Sequence, residues 1–131
     1  MACRAHALHQ QLPARPQSIG RLRHAVAEFA DSSGASAGQC ANIALAVSEA
    51  LSNAVIHAYI GDDQPGAVAV NVQMHARRLE VVVCDAGSGM RPRVDSPGAG
   101  LGLPLIARLT EQLDISDAMP GTCVRMTFAI D

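Results

Sequence analysis

The sequence has no tryptophan, one tyrosine and two phenylalanines in 131 residues. Its core must therefore be built from Ala, Val, Leu, Ile and Met. Lysine is absent as well, so all ten basic residues are arginine. That excludes chemistry that depends on a lysine: a Walker A loop, a protein-kinase fold or a Schiff base. No basic stripe is present and the formal net charge is −2, so nucleic acid is not an expected partner. No apolar run reaches transmembrane length and the N-terminus lacks a signal-peptide apolar region. The expectation is a cytoplasmic protein with no membrane attachment. Cys3, Cys40, Cys84 and Cys123 include no CxxC pair, which argues against a metal cluster and against a disulfide framework. Cys40, Cys84 and Cys123 read as small core residues in a reducing compartment.

What is present fits one domain spanning 1–131. Residues 5–12 suit a short edge strand ending at Pro13. Ile19, Leu22, Val26 and Phe29 recur at helical spacing, with Ser18 as the expected N-cap. A second helix is expected from Ser36, where Gln39 completes a capping box, to about Tyr59. Val68, Val70, Val72 and Met74 alternate as in a strand, and LEVVVC (79–84) follows as a second. Ala76-Arg77-Arg78 suggests a hairpin between them. After a glycine-rich loop (86–100) come a helix from Leu101 to about Gln112, a strand over 113–116 and a last strand over 122–130. The order β-α-α-β-β-α-β-β predicts an α+β fold, a two-layer sandwich with a mixed, mostly antiparallel sheet. Hairpin-paired middle strands do not fit βαβ winding.

Three stretches carry candidate chemistry. In SEALSNAVIHAY (48–59), Glu49, Asn53 and His57 form one stripe on an otherwise apolar helix. Such a stripe is either the polar edge of an amphipathic helix or a pocket wall. As a wall, Asn53 offers a carbonyl oxygen to a hard cation, Glu49 could accept a proton and His57 could reach a phosphate. In VVVCDAGSGM (81–90), Asp85 ends an apolar strand ahead of Gly87 and Gly89. This is either turn chemistry or a carboxylate for the exocyclic amine of a purine, with the glycines admitting a flat ring. In GAGLGLPLIARL (98–109), glycines lead into a helix whose first N–H groups suit an anion. The loop does not follow a strand within a βαβ unit, so a Rossmann site is disfavoured.

Taken in this order and followed by GTCVRMTF (121–128), the three stretches resemble the GHKL ATP-binding superfamily. It includes histidine-kinase catalytic domains and gyrase-type ATPases, built on the Bergerat-type fold. SEALSNAVIHAY and GLGLPLIARL look most like the bacterial anti-sigma factors with serine-kinase activity. The resemblance implies that Asn53 holds Mg²⁺ between the phosphates of ATP and that Glu49 is the general base. It places Asp85 on the adenine amine, with Gly87 and Gly89 against the ring. Gly100, Leu101 and Gly102 would present N–H groups to the phosphates, His57 would lie near them, and Thr122 would add a polar contact near adenine. The implied partners are a sigma factor and an anti-anti-sigma protein of STAS type, and the implied assembly is a homodimer.

The sequence departs from the family pattern in three places. Ala58 stands where Gly often follows the helix His. The lid between Gly89 and Gly98 is short and carries Pro92 and Pro97. No Arg directly precedes the glycine-rich turn, although Arg91 and Arg93 lie nearby. These departures motivate an alternative: a nucleotide-sensing partner-switching module without phosphotransfer. A scaffold that binds no nucleotide is the third reading. No phosphoacceptor-helix pair is present, which argues against a complete histidine kinase. His6 and His9 would face opposite sides of a strand, so a metal site there is not expected.

Overall fold

Alternating apolar strands and three helices assemble in the expected order. The elements are β1 (Ala7–Pro13), α1 (Pro16–Ser32), α2 (Ala37–His57), β2 (Ala67–His75), β3 (Arg78–Asp85), α3 (Gly102–Leu109), β4 (Gln112–Asp117) and β5 (Thr122–Ala129). The computed structural model describes residues 7–57, 66–87, 102–117 and 121–130. The strands form one sheet in the order β1-β2-β3-β5-β4. Every pairing among the described strands is antiparallel. β3 and β4 run the same way but β5 lies between them, so the mostly antiparallel sheet contains no parallel pair among these strands.

Period-two alternation sends one face of the sheet into the core. Val68, Val70 and Val72 of β2, Leu79, Val81 and Val83 of β3, and Val124, Met126 and Phe128 of β5 are buried. Leu22 and Val26 of α1 and Ile43, Val47 and Leu51 of α2 belong to the same cluster. Burial of each such side chain stabilises the fold by about 1.5–3 kcal/mol, so aliphatic residues supply what aromatics do not.

The helix ends show which local signals won. Ser18 is not the cap of α1; Arg15 occupies the cap position and Pro16 opens the helix. Proline suits the first helical position because its φ is already helical and its missing N–H is not needed. Ser18 lies inside the helix and its Oγ donates to the Pro13 carbonyl at 2.6 Å. The capping box of α2 forms as expected: Ser36 N–H donates to Gln39 Oε1 at 2.9 Å and Gln39 N–H donates to Ser36 Oγ at 3.1 Å. α3 ends at Leu109, before the expected Gln112, because Glu111 N–H already donates to the Thr127 carbonyl at 2.7 Å and so joins the sheet.

The β2–β3 hairpin turns through Ala76 and Arg77, and Ala76 has φ 55°. A Cβ in the left-handed region costs roughly 1–2 kcal/mol. Ala76→Gly should therefore stabilise the protein by up to about 1 kcal/mol after glycine's extra chain entropy is counted. Urea unfolding at constant slope checks this.

Two cysteines are not where composition placed them. Cys84 and Cys123 are half-buried on the face of the sheet turned away from the core, and they are joined as a disulfide. Strand phase is the reason: with Val83, Asp85, Thr122 and Val124 pointing inward, the residues between them point outward. Cys40 is a free thiol, half-buried and packed against the core.

Candidate functional site

Asp85 is the last residue of β3 and continues the inward row of Leu79, Val81 and Val83. A carboxylate there is 6% exposed. Burial raises its pKa above the ordinary value, and the backbone N–H groups of Gly87 and Thr122 hold it partly down. Gly87 N–H donates to Asp85 Oδ1 at 3.0 Å, a turn in which the side chain folds over its own backbone. Thr122 is the register partner of Asp85 across the β3–β5 ladder and is also buried. Asp85, Gly87 and Thr122 thus meet at one place.

Gly121 completes this corner and was not singled out by the sequence. Its φ is 104°, and a Cβ there would overlap the Asp85 carbonyl. Only glycine lets the start of β5 pass that close to the end of β3. Gly121→Ala should cost at least about 2 kcal/mol of stability, which thermal unfolding measures.

α2 brings the second group of residues. Around its axis, Asn53 borders the buried Ala46 and Ala50, whereas Glu49 turns farther toward solvent. Asn53 is 8% exposed. Among the described residues no fully buried side-chain nitrogen or oxygen is left without a partner, so the Asn53 amide is either paired or in contact with solvent at the edge of the core. Leu45 and Ile56, which flank the stripe, are 44% and 57% exposed. The stripe is therefore the boundary between the core and an apolar outer strip, not an ordinary solvated edge.

Register along the two layers places these groups at the same end. Gln39 Nε2 donates to the Ala129 carbonyl at 3.2 Å, and Ala129 pairs with Arg78, the first residue of β3. From that shared level Asn53 lies about 21 Å along α2, and Asp85 lies about 23 Å along β3. α3 runs the opposite way. Its Leu109 end shares a cavity of about 240 Å³ with Gln39, Asn42 and Ile43. One helix length back, about 10 Å, its Gly102 end faces the level of Glu49. The first N–H groups of α3 thus point toward the end that holds Asn53 and Asp85.

The remaining expected residues are only partly covered. His57 is the last described residue of α2, and its side chain is outside the description; Gly89, Gly100 and Leu101 lie outside the described residues. Among the described residues no group of three or more His, Cys, Asp or Glu could hold a metal ion. No helix among the described residues is long and apolar enough to cross a membrane.

Comparison with known proteins agrees with this layout. The family described as "Histidine kinase-like ATPase domain" matches residues 12–128. A serine-protein kinase RsbW from Bacillus pumilus is 31% identical, over 92% of this chain and 83% of its own length. An anti-sigma F factor from Thermoanaerobacter pseudethanolicus is 29% identical, over 86% of each chain. Among solved structures, the RsbU and RsbW domains of a Mycobacterium tuberculosis protein superpose with a TM-score of 0.75 at 25% identity. That match covers 95% of this chain and 32% of the other, so the chain spans about a third of that solved protein. With a buried Asp at the strand end, a buried Asn on the facing helix and a family match over nearly all its residues, the chain belongs to the histidine kinase-like ATPase domain family.

Proposed function

We propose that the protein is an ATP-dependent anti-sigma factor that phosphorylates an anti-anti-sigma partner on serine or threonine. This reading is supported by Asn53 and Asp85, both buried, which lie at similar levels when counted along α2 and β3 from the Gln39–Ala129 contact. Asp85 accepts the adenine amine, and Gly87, Gly89 and Thr122 shape the wall around the base. The N–H groups at Gly100, Leu101 and Gly102 receive the phosphates, with His57 near them. Asn53 carries the amide oxygen that suits Mg²⁺, and the ion supplies charge neutralisation at the phosphates when bound.

Glu49 sits one turn before Asn53 and is half-exposed, so a hydroxyl arriving from a second protein can reach it. Its carboxylate takes the proton of that hydroxyl as the oxygen attacks the γ-phosphorus and the bond to ADP breaks. Leu45 and Ile56 beside it give the incoming protein apolar surface. Partner exchange follows from nucleotide state: one protein binds the sigma factor or the anti-anti-sigma protein, not both. The setting is cytoplasmic, without direct nucleic-acid contact, and the assembly is a homodimer formed through the β1 edge or α1.

One observation favours the second reading, nucleotide sensing without transfer. No Arg directly precedes the glycine-rich turn, and the nearest two before it in sequence, Arg91 and Arg93, lie outside the described residues. Incubation with γ-labelled ATP, Mg²⁺ and an anti-anti-sigma protein from the same organism separates the two. Label on the partner's Ser or Thr supports the kinase. Tight ATP binding with no transfer leaves the sensing module.

A further inference from the structure

We infer that Cys84 and Cys123 are a reversible redox pair that clamps the adenine end of the nucleotide site, so that oxidation tightens nucleotide binding. The inference rests on the nucleotide reading above and adds a regulator to it. The two cysteines are register partners with Cα atoms 4.2 Å apart. The next and last rung of the same ladder is Asp85 with Thr122. Beyond that rung β3 leaves for the glycine turn, and Gly121 stands just ahead of β5. Terminal rungs open at the lowest free energy, and this one carries the carboxylate that reads the base. A covalent bond one residue away holds the two strand ends together and pre-organises the site.

The pair is also reachable. On the outer face of the sheet Cys84 has Ala69 beside it and Cys123 has Ser116, both small. Both cysteines are only half-buried, and no described helix covers that face. A peroxide can therefore reach them. One thiol displaces water from hydrogen peroxide and becomes a sulfenic acid. The second thiol attacks that sulfur and releases the other oxygen as a second water. Two thiols and one peroxide become a disulfide and two waters. A dithiol reductant reverses this through a mixed disulfide and is itself oxidised. In a protein that acts on a sigma factor, inside the cell, a disulfide is transient and redox-sensing rather than structural.

The test uses the full chain, reduced with dithiothreitol or oxidised with hydrogen peroxide. Peptide mass spectrometry reads the linkage, calorimetry reads the Kd for Mg·ATP, and hydrogen exchange reads the Thr122 amide. The expected result is a Cys84–Cys123 linked peptide, Kd lower by about three- to tenfold in the oxidised form, and slower exchange at Thr122. The Cys84→Ser/Cys123→Ser double variant should bind like the reduced protein under both treatments. No linked peptide, equal Kd and exchange in the two forms, or a double variant that still responds would each overturn the inference. If ATP binds neither form but Thr122 exchange still follows oxidation, the clamp stands and the nucleotide reading fails.

Discussion

Asp85→Asn should remove ATP binding while leaving the fold intact. Asparagine keeps the shape of the side chain and can still accept from the Gly87 and Thr122 N–H groups. What changes is the edge offered to the base: a carboxylate oxygen that accepts from the adenine amine is replaced by a group that can present N–H to it. Two donors facing each other in a buried site leave both unpaired, which costs about 3 kcal/mol or a 100-fold loss of affinity. Wild-type protein at about 100 times Kd should gain about 2.7 kcal/mol of stability, a rise of roughly 10 °C in melting temperature. The variant should show almost no rise.

The same substitution has an opposite effect on the empty protein. Burial raises the folded-state pKa of Asp85 above its unfolded value. The folded protein therefore holds that proton more tightly than the unfolded chain. The stability contributed by this group is fully present below the unfolded pKa and is lost as pH rises through the folded pKa. Above the unfolded pKa the raised pKa of Asp85 is a cost that asparagine does not carry. Unliganded Asp85→Asn should melt no lower than wild type at neutral pH, and its advantage should vanish in acid. A variant that melts lower at neutral pH and still binds ATP would refute both parts.

Glu49→Ala should separate binding from transfer. Glu49 is half-exposed, and no described hydrogen bond or ion pair in the fold depends on it, so the fold and the ATP affinity should be nearly unchanged. Loss of a general base costs typically 10²–10⁴ in rate, so label transfer to the partner should fall by about that factor. Glu49→Gln, with the same shape and no basic oxygen, should fall as far. Transfer that continues at the wild-type rate in both variants rules Glu49 out as the base.

Much of this layout was legible because it rests on periodicity. Val68, Val70 and Val72, and Val124, Met126 and Phe128, alternate so strictly that strand and buried face followed at once. Ser36 and Gln39 announced the start of α2, and Asp85 was visible as a charge ending an apolar run. What escaped notice depended on pairing between distant segments. Gly121 matters only because β5 begins against the Asp85 carbonyl, and no local pattern reports that approach. The disulfide needed the register of β3 against β5, although the outward phase of both cysteines followed from their buried neighbours. Ser18 differs for another reason: a serine before an apolar run is a good cap signal, but Pro16 starts the helix ahead of it. Exposure of Leu45 and Ile56 could not be read from spacing, because an apolar flank looks the same whether or not the fold covers it.

The central claim is that a buried Asp85 selects adenine at the end of the helix–sheet layer. Titration with Mg·ATP and Mg·GTP tests it most directly. The two nucleotides share their phosphates and ribose, but guanine carries a carbonyl where adenine carries the amine. ATP should bind and GTP should bind at least about 100-fold more weakly, because a carbonyl facing the carboxylate leaves both acceptors unpaired. Equal affinity for the two would contradict the account.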